Sequence, residues 1–410
     1  MKDIGMGVTA EASRKSAHTS LALFALAMGG FTIGTTEFGA MGLVPYFSQS
    51  LNINAQQAGY IISAYALGVV LGGPVLAVLV ARLPRRNVLV GLMLVYALAN
   101  GLTGLAPNFY WMVALRFIAG LPHGAYFGVA VVVAAELVPL ERRAQAMARV
   151  SLGLTVATIL GVPLASFIGQ AVGWRWPFAL VAALACATSC MVMRTVPAMR
   201  VTLHDGASPL DELEVLARPQ VWLTLGIGAI GFGGMFAVYT YAASALLLVT
   251  KAPAVMVPFM LGIFGCGLTL GNLMSAWFAD RALMPTIAVV LIWMAAALAI
   301  YPFMLHFVWS ILLAVLLIGS GGGGLGVPLQ TRLMQVAEGG QTLAAAMNNS
   351  ALNIANALGP WLAGIALAAG GGWGASGWVG CGLAISGLLL WVIAVLDIKR
   401  PTGSRAVETA

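Results

Sequence analysis

From about residue 20 the chain alternates long apolar runs with short polar breaks. The runs fall near 20–45, 58–80, 87–106, 110–135, 145–170, 176–196, 220–248, 256–279, 285–304, 308–328, 342–369 and 377–396. At roughly 1.5 Å of rise per residue, a helix of about 20 apolar residues crosses the ~30 Å hydrocarbon core of a bilayer. The pattern therefore predicts twelve membrane-spanning helices. Residues 1–19 form a polar tail, and the run behind them is too long for the apolar stretch of a cleaved leader. It reads as an uncleaved first helix. The longest break, 197–219, carries His204, Asp205, Asp211, Glu212 and Glu214 and reads as a solvated linker. The expected organisation is a tail (1–19), a six-helix bundle (20–196), the linker (197–219), a second six-helix bundle (220–396) and a tail (397–410).

The two halves repeat. A shift of 199 residues lays Arg82 on Arg281, Gly120 on Gly319, Gly124 on Gly323, and Gly173-Trp174 on Gly372-Trp373. Gly161-Val-Pro163 falls near Gly359-Pro360. Parallel six-span repeats are a transporter plan, with the site between the halves near mid-membrane.

Composition agrees: 60% hydrophobic and 8% charged residues cannot clothe a water-soluble surface of 410 residues. The net charge of +7 could suggest nucleic acid, but its distribution removes that partner. If the amino terminus is cytoplasmic, 17 of the 20 Lys and Arg fall in inner segments, only Arg175 and Lys251 fall outside, and Arg116 lies within a span. Basic residues spread over inner loops make no nucleic-acid face. The four cysteines (Cys186, Cys190, Cys266, Cys381) lie in apolar runs and read as buried small hydrophobes. No His/Cys/Asp/Glu grouping has metal-ligand spacing, so no metal is expected.

Glu37 stands inside the first run, in Gly34-Thr-Thr36-Glu37-Phe-Gly39, before a Gly42-Leu-Val-Pro45 exit. A carboxylate at membrane depth is costly and marks a substrate or proton site. The alternative is a glutamate close enough to the outer surface to be wetted. This stretch resembles the first helix of the drug:proton antiporter family of the major facilitator superfamily, in its sugar-efflux and arabinose-efflux branch. The segment Ala77-Val-Leu-Val-Ala-Arg82-Leu-Pro-Arg85-Arg86 resembles the superfamily's loop motif after span two. Ala77 and Pro84 replace its glycines, and Ala81 replaces its acidic residue. Its counterpart, Ala279-Asp280-Arg281, keeps an acidic-basic pair. Arg82, Arg85, Arg86, Asp280 and Arg281 are candidates for a gating loop; plain positive-inside anchoring is the alternative.

Span four reads Arg116-Phe-Ile-Ala-Gly120-Leu-Pro-His123-Gly-Ala-Tyr-Phe127. It resembles the family motif in which an arginine, four residues before a glycine, is associated with proton movement. Arg116, Gly120, His123 and Phe127 share one helical face, which should look into the bundle or a wet cavity. Arg116 could instead snorkel. His123 suits proton handling by its ordinary pKa of ~6.5, or it is a histidine bonded to a carbonyl. Span five holds a degenerate glycine-proline motif of the exporting branch, which close helix packing also explains. Gly173-Trp-Arg-Trp-Pro-Phe178 reads as an outer aromatic-basic belt.

In span seven, Gly226-Ile-Gly228-Ala-Ile-Gly231 fits a dinucleotide fingerprint but lies in a continuous apolar helix with no strand before it, so no nucleotide is implied. Phe232, Phe236 and Tyr239 form a stripe that either packs or faces a cavity. Asn349, Asn353 and Asn356 share a face of span eleven, where amides bond helices or a ligand.

The resemblance implies an all-α integral membrane protein of twelve helices in two pseudo-symmetric bundles. Its expected activity is export of a small organic solute (sugar, nucleoside or drug-like) across the bacterial inner membrane by proton antiport with alternating access. A facilitator of the same fold and a non-transporting receptor are the alternatives. No ATP-binding loop and no nucleophile–base arrangement is present in the sequence, so neither ATP-driven transport nor an enzyme is expected. The proton gradient replaces any cofactor. The expected partners are protons, the solute and the lipid bilayer, with the chain acting as a monomer and both termini cytoplasmic. Glu37, Arg116 and His123 are the candidate proton-coupling residues, and Thr36, Phe127, Phe232, Phe236, Tyr239 and Asn353 the candidate solute contacts. Counting rise along spans one and four puts Glu37 roughly 24 Å and Arg116 roughly 21 Å above the inner edge, so the two should meet or share a wet pocket.

Overall fold

The computed structural model describes residues 2–80, 82–198, 214–337 and 341–399. Most of the expected linker, including His204, Asp205, Asp211 and Glu212, lies outside the described residues, as do Ala81, Arg200 and residues 400–410. Among the described residues, twelve helices are long and apolar enough to cross a membrane. They are α1 (His18–Gly42), α2 (Ala55–Leu76), α3 (Arg85–Gly104), α4 (Phe109–Glu136), α5 (Leu140–Ala171) and α6 (Arg175–Thr195). After the linker come α7 (Pro219–Leu248), α8 (Met256–Ala279), α9 (Leu283–Met304), α10 (Val308–Val336), α11 (Met347–Ala368) and α12 (Ala375–Ile398). The boundaries follow local chemistry. Asn108 caps α4 by accepting from the Trp111 amide at 3.2 Å, and Pro219 opens α7, where a missing amide hydrogen costs nothing.

Packing repeats from half to half. Within the first half α1 packs on α5, α2 on α4 and α3 on α6; within the second α7 packs on α11, α8 on α10 and α9 on α12. Glycines set the closest of these approaches. A Cβ at Gly68 or Gly72 of α2 would collide with the Phe117 or Leu121 carbonyl, and one at Gly120 with the Tyr65 carbonyl. The same collisions recur 199 residues on: Gly267 with Leu316, Gly271 with Ser320, and Gly319 with Phe264. Van der Waals contact between backbones, open only to glycine, replaces the hydrophobic drive that lipid cannot supply. Gly173 and Gly372, also 199 residues apart, have φ of +111° and +66° in the turns before α6 and α12. A side chain would strain both.

Between the halves, α2 runs antiparallel to α11 and α5 to α8. Ser63 donates to the Ala357 carbonyl at 2.7 Å, and the Tyr241 hydroxyl lies 3.0 Å from the Ala55 carbonyl across the junction and 2.9 Å from the Pro360 carbonyl of its own half. Gly265 of α8 packs on the Thr158 carbonyl, in a π-helical turn (Ala157–Gly161) just before Pro163. These contacts lie away from the ends of α2 and α8 that carry Arg82 and Arg281. Helix α8 is antiparallel to α7 across a short loop, α7 parallel to α11, and α11 antiparallel to α2. The two arginines therefore share one end, called the basic end here. At that end a cavity of about 370 Å³ opens between the start of α1, the end of α4 and the start of α5, lined by Arg142, Arg149, Gln145 and Ser20 among others.

Two expectations change. Cys186, Cys190 and Cys266 are exposed on the helix bundle and Cys381 is half-covered. An apolar run in a membrane chain has a lipid-facing side, so apolar context does not imply burial within the protein. In the supposed belt, Trp174 is buried against Phe47 and Phe178 while Trp176 is exposed. Arg175 stacks on Trp174 and reaches Ser50 and the Ala106 carbonyl, tying three segments together.

Candidate functional site

The polar residues of α1 are arranged by their own helix. Thr32, Thr35 and Thr36 each turn a hydroxyl back to the carbonyl four residues earlier, at 2.8, 2.7 and 3.4 Å. Such back-bonding satisfies a hydroxyl inside an apolar bundle. Glu37 is buried, and its Oε1 accepts from Asn356 Nδ2 at 3.2 Å. That bond crosses from the first half to the second.

Arg116 of α4 has no exposed surface. Its guanidinium carbon lies 4.1 Å from the centre of the Tyr65 ring and 5.9 Å from that of Phe178. Among the described residues none of its three nitrogens has a hydrogen-bond partner. Glu37 is near enough for electrostatic interaction, yet the two form no ion pair. The structure thus puts the carboxylate and the guanidinium in one buried cluster without direct contact.

Tyr65 of α2 joins the cluster to His123. Its hydroxyl stands 3.1 Å from His123 Nδ1 and 3.3 Å from the Tyr96 hydroxyl, and Tyr96 donates to the Ile33 carbonyl at 3.3 Å. Asn100, one turn beyond Tyr96, donates to the Tyr96 carbonyl. The His123 ring also packs on Phe127, which lies beside Gly30 of α1. Sequence reasoning placed Arg116, His123 and Phe127 on one face of α4, and all three turn toward this cluster.

The stripe on α7 lies one residue beyond the carboxylate. Phe236 and Tyr239 are buried with ring centres 6.1 and 6.0 Å from that of Phe38, Phe232 packs on Phe236, and Tyr239 stacks on Phe264 at 3.9 Å. In this arrangement the aromatics close the junction beside Glu37. Asn353 donates to the Asn349 carbonyl of its own helix at 3.0 Å; its neighbour Asn356 reaches Glu37.

The loop arginines work apart from this cluster. Arg85 pairs with Glu136, linking the start of α3 to the end of α4. Arg281 donates to the Trp277 carbonyl at 2.7 Å and stacks on the Trp277 ring, capping α8. Arg82 and Asp280 are exposed.

Tyr65, Tyr96, Asn100 and Phe38 were not singled out from sequence. The 199-residue shift carries a usable signal for two of them, because it lays Tyr65 on Phe264 and Tyr96 on Ala295.

Comparison with known proteins gives the family and the fold. The family model described as Major Facilitator Superfamily matches residues 26–350. The "Inner membrane transport protein YdhP" of Escherichia coli (strain K12) is 35% identical over 381 residues, 92% of this chain and 96% of that protein. The "Probable sugar efflux transporter" of Helicobacter acinonychis (strain Sheeba) is 26% identical over 345 residues, 83% of this chain and 87% of that protein. The crystal structure of a mutant of nucleoside transporter NupG superposes with a TM-score of 0.75 at 12% identity, covering 91% of this chain and 99% of that one, which is a likeness of fold.

Proposed function

The chain belongs to the Major Facilitator Superfamily and is a multi-pass inner-membrane transporter; on that premise we propose that it exports a small organic solute in exchange for protons. The observation that carries the proposal is the hydrogen bond from Asn356 to Glu37. A carboxylate inside a bundle needs partners, and this one takes its donor from the opposite half. The bond lasts only while the halves touch at the end away from Arg82 and Arg281. When they part there, Glu37 loses Asn356 and meets water from the other side. The surroundings that decide whether the carboxyl holds a proton are thus tied to which way the transporter faces. The Arg116 charge, fixed on Tyr65, tunes that exchange, and His123 lies on the same connected set of groups.

Positive-inside bias makes the basic end cytoplasmic, with both termini there and the two six-helix bundles (20–196 and 220–396) rocking about the junction. The solute enters from the cytoplasm between the halves. On the opposite swing it reaches Phe232, Phe236 and Tyr239, now packed on Phe38, together with Thr36 and Asn353. Proton uptake at Glu37 from the outer side then competes with solute, as exchange requires. Export, rather than uptake, is favoured by the similarity to a protein named for sugar efflux. A polar-aromatic lining suits sugars, nucleosides and aromatic drugs alike.

Inverted membrane vesicles with an imposed proton gradient test the proposal over a panel of those three solute classes. Glu37→Gln keeps the shape and the Asn356 contact but removes the titrating group. It is expected to abolish gradient-driven accumulation and to keep downhill exchange of the transported compound. Unchanged accumulation by Glu37→Gln would move the proton carrier elsewhere.

A further inference from the structure

The polar cluster belongs to one half only, and the other half shows what the fold alone requires. Tyr65 and Phe264 occupy equivalent places: each carbonyl is packed by the glycine of the facing helix, Gly120 or Gly319. Packing there needs an aromatic ring and no hydroxyl. The same shift replaces Tyr96 with Ala295, Arg116 with Val315, His123 with Gly322 and Glu37 with Phe236. Where the charges are missing, both tyrosine hydroxyls are missing too.

The contacts also have a direction. Tyr96 donates to the Ile33 carbonyl. All three links of the series carry a proton only if His123 Nδ1–H donates to the Tyr65 oxygen and Tyr65 O–H donates to the Tyr96 oxygen. The series starts on α4, passes through α2 and α3, and ends on α1 at the carbonyl one helical turn before Glu37. Helix α2 is itself tied to the opposite half two residues from Tyr65, where Ser63 donates to the Ala357 carbonyl. Ala357 adjoins Asn356, the partner of Glu37. Parting of the halves therefore releases α2 and the carboxylate together.

We propose that Tyr65 is the positioning residue of proton exchange, its ring holding Arg116 and its hydroxyl holding His123, so that movement of α2 at the junction resets both together with Glu37. The inference rests on the antiport reading above. The titratable and charged groups around Tyr65 are Glu37 from α1, Tyr96 from α3, and Arg116 and His123 from α4. Helix α11, packed along the other side of α2, contains no charged residue.

Two measurements on the full chain in lipid nanodiscs and vesicles decide the matter. With only four histidines, ¹⁵N-histidine spectra are tractable, and His123→Gln assigns the His123 signal. The expected parent form is the Nδ1–H tautomer. Tyr65→Phe, whose ring matches the natural Phe264, is expected to fold, to release that tautomer toward Nε2–H, and to keep downhill exchange. Proton-driven accumulation of the solute identified in the panel should fall about tenfold, as loss of a buried bonded hydroxyl allows, with a displaced pH profile. Tyr96→Phe cuts the next link and should displace the pH profile likewise. An unchanged His123 signal in Tyr65→Phe would overturn the proposal. So would a parental pH profile in either variant while Glu37→Gln abolishes accumulation. If Glu37→Gln itself accumulates solute like the parent, the antiport reading falls, and the coupling role of Tyr65 falls with it.

Discussion

Asn356→Ala should open the junction without dismantling it. The perturbation removes one donor, 3.2 Å from a buried carboxylate oxygen, and leaves the Ser63 and Tyr241 bonds in place. A hydrogen bond to a charged group is worth about 1.5–3 kcal/mol net, and it exists only while the halves touch. Each 1.4 kcal/mol or so is tenfold in an equilibrium, so the open-to-closed ratio should rise about 10- to 100-fold. A junction open about 1% of the time would then be open between about 10 and 50% of the time. Spin labels on Gln49→Cys and Ala369→Cys, both exposed at the junction end, report the separation once the four native cysteines are replaced. The longer of two distance populations should grow by that factor. Asn353→Ala is the control, because its amide serves its own helix. A ratio within about twofold of the parent in Asn356→Ala, or an equal shift in Asn353→Ala, would refute the assignment of Asn356 as a tie between the halves.

Four further outcomes are expected. Tyr241→Phe removes the hydroxyl that reaches Ala55 and Pro360 and should shift the same distance distribution toward the open form by about 1 kcal/mol, or about fivefold. Gly153→Ala puts a Cβ into the Ala27 carbonyl and should destabilise the fold by about 1–3 kcal/mol in thermal unfolding. Gly128→Ala, with open space around it, should be neutral or raise the midpoint slightly, since alanine is the better helix former by up to about 1 kcal/mol. Glu136→Gln breaks the partly exposed pair with Arg85 and should change stability by only about 0.5 kcal/mol, an effect that disappears in high salt.

The helices were legible because a bilayer imposes one length and one polarity on every crossing. All twelve expected runs coincide with observed spans to within a few residues at most ends. Glycine matches at the 199-residue shift, which mean little in a glycine-rich sequence, turn out to mark backbone contacts and left-handed turns. Glu37 and Arg116 were visible as charges in apolar runs. Tyr65 was not, because a tyrosine among aliphatic residues looks like packing until three other helices supply its partners. Asn353 and Asn356 are indistinguishable from periodicity, since both lie on one face; only the neighbour across the junction separates them. The cysteines were misjudged because lipid accepts what water would drive inward.

The hydrogen bonds that Ser63 and Tyr241 make across the junction join a side-chain hydroxyl to a main-chain carbonyl of Ala357 or Ala55. Genetically, such a bond has one address. Replacement of Ser63 or Tyr241 deletes it, but replacement of the residue that contributes the carbonyl leaves the oxygen where it was. A saturation screen for transporters stuck in one orientation should therefore recover the hydroxyl-bearing positions and pass over their partners. Among diverging copies of the gene, the acceptor positions are free to drift in identity while the helix geometry behind them is held still.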